Sequence, residues 1–175
     1  MTSQASAFSA EPSGLLCKLS QRKTFNHLSW LKSFRRDVHS MPNQTNSRKK
    51  MFRFAPKHRS LAEVLSDHEL AALGDAYVNL IWSLYLSIKK GKPVGKKASS
   101  TMLASALRKA RLRGSLPSRT DRHKQADAAE ALIAYAWLNS VISLEEAVLL
   151  MEKGRTPEEA FSMLLQSILE RLNLT

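Results

Sequence analysis

The chain has 175 residues, enough for one well-buried domain and too few for two comfortable ones. Its 27 Lys and Arg against 15 Asp and Glu leave a formal charge of +12, with a pI near 10.1, which favours a polyanionic partner, nucleic acid or an acidic membrane surface. A single cysteine, Cys17, excludes an internal disulfide framework and a Cys-based zinc site. The longest apolar stretch, residues 71–88, approaches spanning length but carries Asp75, Asn79, Ser83 and Ser87, so a core helix is expected and no membrane partner. No compact apolar leader with a small-residue cleavage site opens the chain, so a cytoplasmic location is expected rather than secretion.

Positive charge is concentrated in two segments. Residues 1–55 carry +8 and residues 88–124 carry +11, while residues 56–87 and 125–175 carry −2 and −5. Residues 1–50 hold nine Ser and three Thr without lasting apolar periodicity, apart from a short amphipathic piece around residues 25–34. Residues 1–55 therefore read as a basic, disordered extension, dispensable for folding, and residues 56–175 as the folded domain. The same Ser-rich, acid-poor composition also suits an organellar transit peptide, and Met41 or Met51 offers a later start.

Helical patterning is dense from residue 60. Ser60 with Glu63 forms a capping box for a helix running toward Leu73, where Gly74 is expected to interrupt it. A strongly apolar helix follows to Ile88; its apolar residues surround it, which predicts a central place in the core. Lys89-Lys90-Gly91-Lys92-Pro93 ends it. A third helix is predicted over 99–111, a loop over 114–121 and a fourth helix over 123–139. Ser143 with Glu146 opens the next helix, and Thr156-Pro157 with Glu159 the last. No strand pattern of useful length appears, so the predicted fold is all-α.

Three acids interrupt the apolar pattern. Asp75 stands at the head of the most apolar helix, and Asp127 and Glu130, three apart, project from one helical face among small packing residues. Carboxylates placed in a core are costly unless paired or bound to a metal. Oxygen ligation of a hard divalent cation is one reading. Helix capping by Asp75, with Asp127 and Glu130 paired to Arg119, Arg122 or Lys124, is the other.

Leu73-Gly74-Asp75-Ala76, followed by an apolar helix, resembles the signature of the ribonuclease III catalytic domain. Asp127-Ala128-Ala129-Glu130-Ala131-Leu132-Ile133-Ala134-Tyr135 resembles that family's second acidic motif. Ser100-Thr101-Met102-Leu103-Ala104-Ser105-Ala106-Leu107 is similar to the helix the family places between them, and Ser143-Leu144-Glu145-Glu146-Ala147 to the start of the next. The resemblance covers about residues 60–170. It departs at two positions: the family's glutamates seven and four residues before the Asp are here His68 and Ala71. Small Mini-III relatives and archaeal ribonuclease III-like proteins are nearest in this reduced signature.

The resemblance implies an endoribonuclease-domain fold and Mg²⁺-dependent hydrolysis of double-stranded or structured RNA, with Mn²⁺ as a substitute. Asp75, Asp127 and Glu130 take the catalytic and metal-ligand positions, and a homodimer is implied, with 5′-phosphate and 3′-hydroxyl products. His68 is an auxiliary candidate for a phosphate contact, or a structural residue. With only five residues after the last matched helix, an appended double-stranded-RNA-binding domain is not expected. The basic middle segment is expected to grip phosphates instead, through Lys96, Lys97, Arg119, Arg122, His123 and Lys124. The rival expectation is an inactive ribonuclease III fold serving as an RNA-binding or ribosome-associated scaffold.

Overall fold

The computed structural model describes residues 52–172, so residues 1–51 of the expected extension, with the 25–34 amphipathic piece and the alternative starts, fall outside the described residues. At the end of that extension Phe52 and Ala55 instead pack against the core, Phe52 5.2 Å from the Trp137 ring, and belong to the folded domain. Among the described residues six α-helices follow in order: α1 Leu61–Leu65, α2 His68–Lys90, α3 Ser100–Lys109, α4 Arg122–Leu138, α5 Leu144–Met151 and α6 Pro157–Arg171. A 3₁₀ turn, Leu112–Ser115, lies between α3 and α4. Among the described residues there is no strand, and the domain is all-α as expected.

Helix starts follow the caps written in the sequence. Ser60, Ser99, Ser143 and Thr156 each accept a backbone N–H from three residues on, satisfying a donor the first turn leaves orphaned. The glutamates of two boxes reach one residue further back than the cap. Glu63 accepts from the Arg59 N–H at 2.8 Å and Glu159 from the Arg155 N–H at 3.1 Å. Glu146 instead pairs with Arg171 at 2.8 Å, tying α5 to the end of α6.

The predicted break at Gly74 does not occur. The chain breaks earlier, at Ser66–Asp67, where Asp67 caps α2 by accepting the Leu70 N–H at 2.9 Å. His58 approaches the same carboxylate at 2.8 Å and lies 5.8 Å from the Tyr135 ring, pinning the segment before α1 to the core. Burial alone would raise the Asp67 pKa, but the Leu70 N–H and His58 outweigh it and hold the carboxyl below its usual range.

Gly74 lies mid-helix because α2 crosses α4 there. A Cβ on Gly74 would overlap the backbone carbonyl of Glu130, so the missing side chain is what lets the two helices touch. The central element is α4, not α2. Alanines at 126, 128, 129, 131, 134 and 136 are buried along it and let neighbouring helices approach closely, with α2 and α3 its main partners. Tyr77 stacks on Trp137 at 4.5 Å, and Trp82 meets Phe161 of α6 at 5.9 Å. By contrast Leu73, Leu80, Leu84 and Ile88 leave an apolar stripe of α2 exposed.

Gly74→Ala is expected to destabilise the domain by about 1–3 kcal/mol in urea unfolding, because overpacking against Glu130 outweighs the helix-propensity gain of about 1 kcal/mol. A variant as stable as the parent would show that α2 and α4 separate easily.

Candidate functional site

Gly74 positions the next residue. Asp75 sits in the second turn of α2, beside the point where α4 brings up Glu130, and Asp127 stands one turn earlier on α4. The three carboxylates line one open cleft of about 770 Å³, together with His68, Lys97 and His123. The helix-capping alternative for Asp75 fails, because Asp67 caps α2. No ion pair joins Asp127 or Glu130 to Arg119, Arg122 or Lys124 among the described residues; the cation that meets the acids is Lys97, 3.5 Å from Asp75.

Lys97 reaches the cleft through a strap that the sequence analysis missed. Asp75, Asn79, Ser83 and Ser87 recur every fourth residue, forming one polar stripe down an otherwise apolar helix. The segment after α2 runs back along this stripe. Val94 donates its N–H to Ser87 Oγ at 2.9 Å, and Lys96 donates to Ser83 Oγ while its carbonyl accepts from the same hydroxyl, both at 3.1 Å. Ala98 donates to Asn79 Oδ1 at 2.8 Å, and Asn79 Nδ2 donates to Asp75 at 3.2 Å. The i, i+4 spacing of polar groups was the available signal.

Glu130 is the most perturbed of the acids. Burial, then the neighbouring charges of Asp75 and Asp127, push its pKa up to about 7, and Lys97 opposes them. Among the described residues no three His, Cys, Asp or Glu side chains are gathered closely enough to hold a metal ion as they stand. The donor set nonetheless suits a hard divalent cation: three carboxylates around one cleft, with mutual repulsion that a dication would relieve.

The two positions where the resemblance expects glutamate, His68 and Ala71, both line the cleft, as does the adjoining Ala72. Glu69 does not, and Asp67 is occupied with capping and His58. A smaller recess of about 230 Å³ shares His68, Ala71 and Asp127 with the cleft and is edged by Arg119 and Lys124. Lys96 and Arg122 are exposed and line neither. Arg113 is structural: its guanidinium donates to the carbonyls of Leu116, Pro117 and Ser118, shaping the loop that carries Arg119. Buried Gln125 holds the same loop through the Thr120 carbonyl at 3.0 Å and accepts from Arg108 at 3.3 Å.

The domain is thus all-helical, and its central helix carries an Asp and a Glu into a cleft opposite Asp75 of the neighbouring helix. The ribonuclease III family model matches residues 68–174, and the chain belongs to the ribonuclease III family. No curated protein sequence shows a significant match to it. Among the described residues, no helix is long and apolar enough to cross a membrane.

The raised pKa of Glu130 has a thermodynamic consequence. A carboxyl at about 7 when folded and 4.5 when unfolded favours folding most below pH 4.5, and that share of stability is lost as pH rises through 7. In buffer free of divalent cations, Glu130→Gln should match the parent in acid. At pH 8 it should exceed it by on the order of 1–2 kcal/mol, after allowance for partial solvent screening. A variant destabilised at pH 8 would mean that an ion pair holds Glu130.

Proposed function

We propose that this chain is a metal-dependent endoribonuclease that hydrolyses phosphodiester bonds in double-stranded or structured RNA. The observation that carries the reading is the cleft in which Asp75, Asp127 and Glu130 face one another beside a basic segment. Asp75 and Asp127 would hold a hard divalent cation, Mg²⁺ or Mn²⁺, and Glu130 would join them by losing the proton that burial favours. When bound, such a cation supplies charge neutralisation and activation of water. The chain's own side chains would supply the grip: Lys97 and His123 inside the cleft, with Arg119 and Lys124 along the adjoining recess, suit phosphates flanking the cut. Lys96 and Arg122, exposed on the same basic segment, suit phosphates further along the duplex. His68 lines both the cleft and the recess, and in this reading it would donate a hydrogen bond to a phosphate oxygen.

The exposed apolar stripe Leu73, Leu80, Leu84 and Ile88 supports pairing of two copies through α2, in keeping with a family that typically dimerises. Each copy would then present one cleft to one strand. A scaffold without chemistry is the second reading; what favours it is that His68 and Ala71 bring no carboxylate to positions that do line the cleft.

Incubation of the full chain with duplex RNA, with and without Mg²⁺, tests the proposal. Cleavage should need the cation, and Asp75→Asn or Glu130→Gln should lower it on the order of 100-fold or more while RNA still binds. A parent chain that binds duplex RNA but never cuts it leaves the scaffold. The paired substitution Leu80→Lys with Leu84→Lys should convert a dimer to a monomer in sedimentation; a parent chain already monomeric at micromolar concentration would remove the dimer.

A further inference from the structure

We propose that Lys97 is the resting counter-ion of the carboxylate cleft, an ammonium that a divalent cation must displace in order to enter. The inference rests on the cation-binding reading above and adds a competitor supplied by the chain itself. Lys97 Nζ lies 3.5 Å from each Asp75 carboxylate oxygen, and its side chain lines the same cleft as Asp127 and Glu130. Among the described residues, no other Lys or Arg lines it.

The backbone on either side of Lys97 is pinned, by Ser83 to Lys96 and by Asn79 to Ala98, so the ammonium is delivered to the cleft by the fold. Its side chain is 74% exposed and makes a loose contact. Four flexible carbons can therefore swing it into water at little cost, which a buried ion pair would not allow. The ammonium offsets one of three facing carboxylates, and a dication brings two charges to the same oxygens. Both cannot occupy the Asp75 oxygens together.

Mn²⁺ binding to the full chain, measured by titration calorimetry, tests this without any RNA. Lys97→Met should bind Mn²⁺ on the order of fivefold more tightly, the equivalent of the roughly 1 kcal/mol an exposed ion pair contributes. Lys97→Arg should restore the parent affinity. Lys109→Met, which removes the same charge from the end of α3 and away from the cleft, should leave affinity unchanged. Without divalent cation, Lys97→Met should also melt below the parent, and Mn²⁺ should close the gap. Asp75→Asn should lose the binding. Equal or weaker Mn²⁺ affinity in Lys97→Met, beside a parent that binds, overturns the counter-ion role and leaves the cleft a cation site. Failure of both parent and Lys97→Met to bind Mn²⁺ overturns the cation site and the counter-ion with it.

Discussion

The approach of α2 to α4 at Gly74, where a side chain would strike the Glu130 carbonyl, sets the geometry on which the cleft depends. It places Asp75 against Glu130 and buries enough of Glu130 for its charge to be disfavoured. It also lets the alanine-rich α4 serve as the hub that α2 and α3 pack around. A cleft built on two helices in backbone contact cannot widen without breaking that contact. The acids are held near one another despite their repulsion, because the packing of the core, and not the acids, fixes the distance.

The all-α class, the order of the helices and the caps at Ser60, Ser143 and Thr156 were legible because each rests on local chemistry within three or four residues. The Gly74 break was misread because helix propensity is a local quantity, while the reason for glycine there is a neighbour more than fifty residues away. The same limit misplaced the centre of the fold. Residues 71–88 are the most apolar run, yet part of that surface stays exposed, whereas the small side chains of α4 are hidden by their ability to admit neighbours. Asp75, Asp127 and Glu130 were readable as a group through the resemblance to the ribonuclease III motifs, their spacing alone leaving ion pairing open, and the structure brings them to one cleft. Their connection to Lys97 was not, since it passes through serine hydroxyls and an asparagine amide that carry no charge signal.

The basic middle segment divides by task in a way that its composition conceals. Arg113 and Arg108 are committed to carbonyl and amide oxygens that shape the loop before α4. Lys97, Arg119 and Lys124 border the cleft or its recess. A guanidinium, with five donors in a fixed plane, suits the first duty, while the second is shared by the ammonium groups of Lys97 and Lys124 and the guanidinium of Arg119. Net charge alone therefore overstates how much of the segment is available to a polyanion.

The strap along α2 is held by its peptide groups. Ser83 engages both the amide and the carbonyl of Lys96, and Ser87 and Asn79 take the amides of Val94 and Ala98. None of these bonds involves a side chain of the strap itself. Architecture and surface chemistry are thus written in separate alphabets at these positions. The helix reads the main chain, which every residue except proline presents alike, and leaves the side chains free to vary. A ligand preference could be rewritten at positions 94 to 97 one residue at a time, whereas loss of the uncharged hydroxyl of Ser83 would release Lys96 at both its amide and its carbonyl.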